Sequence, residues 1–229
     1  MTPLRLTRRQ SREVDRIAIE EYGIAGIVLM ENAARSVVDA IADLLHDLNG
    51  DIAVVCGPGD NGGDGLAIAR HLRNRGHGVI IVLAAPPERF RGDAATQLLI
   101  ISHTEIPCVY VDPSESSAGV DSVRAAALVI DAMFGTGLSR PPADDVAGLI
   151  DACDGSRRPV IAVDLPSGMD CNTGLPLGRH CVRATRTVTM ATHKSGFANP
   201  AAREWTGAVI VGDIGVPREI IDRAAASPA

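Results

Sequence analysis

The chain has 229 residues, 46% of them apolar and 3% aromatic, with a formal charge of −6. That length buries enough Ala, Val, Ile and Leu for one domain without disulfide or metal staples. The acidic balance, with no long basic run, excludes a nucleic-acid surface built on clustered Lys and Arg.

Two helices are predicted first, over residues 7–22 with Thr7 as N-cap and over residues 28–48, separated by the Gly23 to Gly26 break. The chain then alternates. Strands are predicted over 51–56, 78–84, 107–111, 126–132 and 160–164, and helices over 65–75, 92–103, 116–124 and 143–153. Further strands are predicted over 182–191 and 208–211, and the Ala/Ser/Pro tail at 224–229 is expected to fray. Strands alternating with helices imply βαβ units and a mostly parallel central sheet, an α/β domain covering 1–229 without an interdomain linker.

The five cysteines are scattered and form no C-x-x-C pair, so they read as free buried thiols of a reducing, cytoplasmic compartment. The polar, Arg-rich N-terminus lacks the apolar stretch of a signal peptide. No apolar run reaches the roughly 18 residues that a membrane span needs.

The chemistry gathers where strands end. After Ile52-Ala53-Val54-Val55-Cys56 comes Gly57-Pro58-Gly59-Asp60-Asn61-Gly62-Gly63-Asp64-Gly65, formally a G-x-G-x-x-G turn before a helix. Such a turn lets backbone amides and a helix N-terminus approach phosphate. Its three oxygen-bearing side chains are unusual for a dehydrogenase, and it lacks the Lys-Ser/Thr of a phosphate-binding P-loop. A tight turn capped by Asp64 is the plain structural alternative. Two more strands end in an acid followed by glycine: Asp131 before Phe134-Gly135-Thr136-Gly137-Leu138, and Asp164 before Pro166-Ser167-Gly168. In an open parallel sheet, such loops converge on one crevice. Its glycine backbones favour an anion, while Asn61, Asp131 and Ser167 offer hard oxygen ligands for an alkali or alkaline-earth cation.

Five segments occur in the order of one family: Leu29-Met30-Glu31-Asn32-Ala33, the loop from Cys56 to Gly65, Asp131-Ala132-x-Phe134-Gly135-Thr136-Gly137-Leu138, Val163-Asp164-x-Pro166-Ser167-Gly168, and Gly212-Asp213-Ile214-Gly215-Val216-Pro217. Together they resemble the YjeF N-terminal domain family, the NAD(P)H-hydrate epimerases, over about residues 10–217. The resemblance implies a Rossmann-like αβα sandwich and epimerisation of the R and S forms of hydrated NADH and NADPH. It implies a potassium ion held by Asn61, Asp131 and Ser167. It also implies that Asp60, Asn61, Gly62, Gly63, Asp64, Gly135, Thr136, Gly137, Leu138, Ser139, Arg140, Pro141 and Asp164 contact the substrate. The stand-alone length implies functional coupling to a separate ADP/ATP-dependent hydrate dehydratase, and a homodimer is compatible with the family. One departure stands out: the family loop reads Asn-Asn-Gly-Gly-Asp, and its first Asn is Asp60 here.

Inverting a carbon that bears a hydroxyl beside a ring nitrogen needs a carboxylate to move a proton and to offset an iminium cation. Asp164 is the expected catalytic residue. Lys194 is a second candidate, with an exposed loop lysine as the plainer reading. A nicotinamide-dependent dehydrogenase is the nearest other enzyme. It would place an acid about 20 residues beyond the loop to hold a ribose, where this chain has Ala84-Ala85-Pro86-Pro87 and a late Glu88. A nucleotide-binding scaffold without catalysis is the non-enzymatic alternative.

Overall fold

The computed structural model describes residues 3–111, 118–142, 144–155 and 158–228. Residues 116 and 117, at the head of one expected helix, and residue 143, at the head of another, lie outside these. A seven-stranded, all-parallel sheet forms the centre. Its strands are β2 (Ile52–Cys56), β3 (Val79–Leu83), β4 (Cys108–Tyr110), β5 (Leu128–Ala132), β6 (Val160–Val163), β7 (Arg186–Met190) and β9 (Ala208–Gly212), in the order β4-β3-β2-β5-β6-β7-β9. A second ladder joins β1 (Arg5–Leu6) to β8 (His193–Lys194), pairing Leu6 with Lys194. That ladder has too few residues to show as a strand pattern, and the sequence reading did not contain it.

The helices are α1 (Arg8–Arg16), continued by a π-helical turn at Ile17–Glu21, then α2 (Gly26–Ala40), α3 (Ala42–Leu45) and α4 (Asp60–Asn74). They continue with α5 (Gly92–Ser102), α6 (Ala118–Ala125), α7 (Asp144–Gly155), α8 (Arg203–Thr206) and α9 (Arg218–Ala226). Thr7 caps α1 as expected, and Gln10 completes a capping box by accepting from the Thr7 amide. The helix expected over 28–48 breaks where the buried Ile41 leaves helical dihedrals (φ −112°, ψ 10°). The tail expected to fray from 224 is instead helical through Ala226, because Ile220 and Ala224 bury against α1.

Strand alternation divides the core. Ile52, Val54, Cys56, Leu128 and Ile130 face α2, α4 and α5, whereas Ala53, Val55 and Val129 face α6 and α7. None of the five cysteines is in a disulfide; Cys108 is exposed rather than buried, and the other four are buried. Among the described residues, no helix is long and apolar enough to cross a membrane.

Two segments that the resemblance singled out turn out to be joined. Asn32 Nδ2 donates to the Ile214 carbonyl at 3.1 Å, and Ser36 Oγ donates to the Asp213 carbonyl at 2.6 Å. They tie α2 to the turn after β9 and support the wall of the site from outside.

Candidate active site

The sheet order reverses between β2 and β5, which run side by side while their onward connections diverge. Ligands of open α/β sheets bind beyond strand C-termini at such a point. The chain has a cavity of about 510 Å³ there, lined by α1, α2, the first turn of α4, residues 133–138, Asp164 and residues 190–192.

The glycine segment is less a loop than the sequence suggested. Helix α4 begins at Asp60, with Gly59 as an uncapped N-cap, so Asn61, Gly62, Gly63 and Asp64 are already helical. Asp64 is therefore not the cap. Two glycines let the helix dock: a Cβ on Gly62 would lie 1.7 Å from the Gly57 carbonyl oxygen, and one on Gly57 would lie 2.0 Å from that of Met133. Gly59 differs, since a Cβ there would meet nothing within 4 Å. Its backbone and the first free amides of α4 face the cavity, the arrangement that favours an anion.

Asp164 has φ +66°, the left-handed region that few side chains adopt. Its Oδ2 accepts from the Thr136 amide at 3.1 Å and its Oδ1 from the Met190 amide at 3.3 Å. Lys194 Nζ lies 2.8 Å from Oδ1, and that side chain is only 3% exposed. Lys194 is thus no exposed loop lysine. Its β8 backbone is held by β1, and Nζ also donates to the Met190 carbonyl. Burial pushes the Asp164 carboxyl up, but the Lys194 charge and hydrogen bond, with the two amides, hold it below the ordinary carboxylate value.

Asp131 is 0% exposed. It accepts from Ser167 Oγ at 2.6 Å, from the Ser167 amide at 2.8 Å and from the Met133 amide at 3.3 Å. Burial raises its carboxyl to about 6 against those bonds. By strand alternation Asp131 points with Val129 toward the α6 and α7 side. Consequently neither it nor Ser167 lines the cavity, although Asn61 does. The segment 134–136 is the shared partition: the Phe134 amide donates to Ser167 Oγ at 3.0 Å, and a Cβ on Gly135 would lie 3.1 Å from Asn61 Oδ1 and 3.0 Å from Asp164 Oδ2.

Of the other residues that the resemblance implied, Asp60, Asp64, Gly135, Thr136, Gly137 and Leu138 line the cavity. Gly62 and Gly63 are buried in α4, and Ser139, Arg140 and Pro141 are not among the lining residues. What the sequence reading missed is α1. The sequence places a helix there but assigns none of its residues to the site, yet Ser11, Arg12, Val14 and Asp15 line the cavity. Arg8 Nε donates to the Thr136 carbonyl at 3.1 Å, Arg8 Nη2 to that of Leu138 at 2.7 Å, and Arg12 to that of Gly137 at 3.3 Å. The i, i+4, i+7 spacing of Arg8, Arg12 and Asp15 was the available signal.

Among the described residues, three buried polar atoms of the cavity wall, Ser11 Oγ, Asn61 Nδ2 and Thr192 Oγ1, have no hydrogen-bond partner. Buried polar atoms are rarely left unpaired. Their convergence on one cavity marks it as a place for a polar ligand.

The family profile described as YjeF-related protein N-terminus matches residues 26–196. The chain belongs to that family. A relative named NAD(P)H-hydrate epimerase from Pirellula staleyi is 39% identical over 96% of this chain and 96% of its own length. Another of that name, from Limosilactobacillus fermentum, is 38% identical over 93% of this chain and 98% of its own. The relative named bifunctional NAD(P)H-hydrate repair enzyme Nnr from Moorella thermoacetica is 39% identical over 94% of this chain, which spans 41% of that protein. The crystal structure of yeast ynu0, YNL200c, superposes with a TM-score of 0.84 over 99% of this chain and 95% of that one. At 21% identity that likeness speaks to the fold. The family profile begins at Gly26, so it omits α1, the helix that completes the cavity.

Proposed function

We propose that this chain interconverts the R and S forms of hydrated NADH and NADPH. The observation that carries the reading is the Asp164–Lys194 pair in a cavity directly beside an open helix N-terminus. Near full-length similarity to stand-alone epimerases supports it.

The helix α4 amides and the Gly59 backbone hold the diphosphate. The reacting carbon lies toward Asp164, whose fixed negative charge offsets the iminium cation formed as the hydroxyl departs. Lys194 keeps that carboxylate ionised and oriented.

Asn61, Asp131 and Ser167 fit a potassium ion by their chemistry: all offer oxygen, and Ser167 Oγ lies 3.5 Å from the Phe134 carbonyl oxygen as well as beside Asp131. A bound ion supplies positive charge that neutralises Asp131. Among the described residues no His, Cys, Asp and Glu cluster suits a transition metal. The proposal also includes a cytoplasmic setting and a separate dehydratase that consumes the S form; fused relatives carrying the name of a bifunctional hydrate repair enzyme support that pairing.

The test supplies R-hydrate, this protein and an S-specific dehydratase, with an enzyme-free blank for spontaneous interconversion. Loss of the R peak on chromatography, faster than with dehydratase alone, is the expected result. An unchanged R peak overturns the reading. A dehydrogenase would instead change the near-ultraviolet absorbance of reduced nicotinamide when offered an alcohol. Glu88, the late acid, does not line the cavity.

A further inference from the structure

Epimerisation needs a proton at the departing hydroxyl, and the Asp164 carboxylate is already committed to Lys194 and two backbone amides. Another group must carry that proton. Helix α1 presents one. Arg8, Arg12 and Asp15 share one face of the helix, and the two arginines bind the carbonyls of Thr136, Leu138 and Gly137. The N-terminal end of the helix, beside Arg8, is fixed as well by β1, whose Leu6 pairs with Lys194. Asp15 is thereby held in the cavity wall, where, among the described residues, no hydrogen bond or ion pair engages its carboxyl.

We propose that Asp15 is the acid–base residue of this site, handing its proton to the departing hydroxyl and recovering one from the water that returns to the opposite ring face. The inference rests on the epimerase reading above. In the first half the carbon–oxygen bond breaks, the ring-nitrogen lone pair forms the carbon–nitrogen double bond, and the Asp15 proton completes a water molecule. In the second half water adds to that carbon, its proton passes to the Asp15 carboxylate, and the lone pair returns to nitrogen. Nothing is oxidised or reduced.

The surroundings suit this task. Asp15 is exposed to the open cavity, yet the protein crowded around its carboxyl raises it to about 6; Lys194 opposes the rise, and Asp164 and Asp60 add to it. Asp64 of α4, Asp93 of α5 and Arg12 of its own helix line the same cavity. A proton carrier works best with its pKa near the working pH. Burial drives Asp64 well above its ordinary value, with Asp164, Asp60 and Asp15 adding to the rise, so it releases a proton less readily.

The experiment follows R-to-S interconversion against pH for the wild type, Asp15→Asn and Asp15→Glu, each above its enzyme-free blank. The wild-type rate should fall on the alkaline side of about pH 6. Asp15→Asn should lose about a hundredfold or more in kcat, with KM and melting temperature near wild type and no alkaline limb in what remains. Asp15→Glu should restore part of the rate together with the limb. An Asp15→Asn variant that keeps the wild-type rate and limb overturns the inference and leaves the epimerase reading standing. Absence of catalysis in the wild type overturns both.

Discussion

Lys194 Nζ and Asp164 Oδ1 are 2.8 Å apart, with side chains 3% and 11% exposed, at the C-terminal edge of the sheet. An ion pair this dry is not a simple source of stability, because desolvating both charges costs about as much as their attraction returns. It is a device for keeping one carboxylate ionised where burial alone would protonate it.

Removing one partner should therefore hurt more than removing both. Lys194→Met leaves a buried, uncompensated carboxylate and should cost about 3–5 kcal/mol in urea unfolding. Adding Asp164→Asn to it should recover part of that loss. Equal stabilities for the single and double variants would sink the account. The pH dependence has a definite sign. The Asp164 pKa is depressed in the fold, so its stabilisation is present above the unfolded value of about 3.9 and fades as pH falls through the folded one. Lys194→Met should flatten that acid limb.

Asp164→Asn keeps the shape of the side chain and removes its charge. The folded state should persist, as seen by circular dichroism, while most of the catalysed epimerisation disappears. Turnover close to wild type, measured above the spontaneous rate, contradicts the assignment.

Gly62 and Gly59 lie three residues apart and should respond oppositely to alanine. The Gly62→Ala methyl would meet the Gly57 carbonyl oxygen, a backbone atom that cannot step aside without lifting α4 off the sheet. We expect a melting temperature many degrees lower, or no soluble protein. Gly59→Ala meets open space, and its backbone (φ −93°, ψ −169°) suits any residue. That variant should melt within a degree or two of wild type and raise KM, since its methyl occupies the surface offered to phosphate. A thermal melt and one kinetic series on each settle the comparison.

Asp60 sets stability against binding. As the acid in the first turn of α4 it favours the helix by about 0.3–1 kcal/mol. The same charge faces the place proposed for the diphosphate. Asp60→Asn should lower both stability and KM, and the gain in binding should shrink as salt is added. A KM that rises instead would mean that Asp60 donates something to the ligand that repulsion does not outweigh.

The order of strands and helices was legible because hydrophobic period is a local property. Runs such as Ile52-Ala53-Val54-Val55-Cys56 announce a strand buried on both faces wherever they occur. The same holds for Thr7 as a cap, whose partner Gln10 is three residues away. Helix α4 was placed five residues late because glycines at Gly62 and Gly63 read as a loop by propensity, whereas close docking of Gly62 against Gly57 and of Gly63 against Met30 and Ala94 makes them helical.

Taken alone, the sequence determined the αβα class, the chain order of the acid-and-glycine turns and the family they resemble. Short-range patterns carry all of these. Only the tertiary structure decided that Lys194 is buried against Asp164, that Asp131 points to the other side of the sheet from the cavity, and that α1 closes the site. Those facts depend on contacts such as Arg8 with Asp170, 162 residues apart, and on which face of a strand a side chain occupies beneath its neighbours. No local window contains either, because burial and electrostatic partnership arise only once distant segments are packed together.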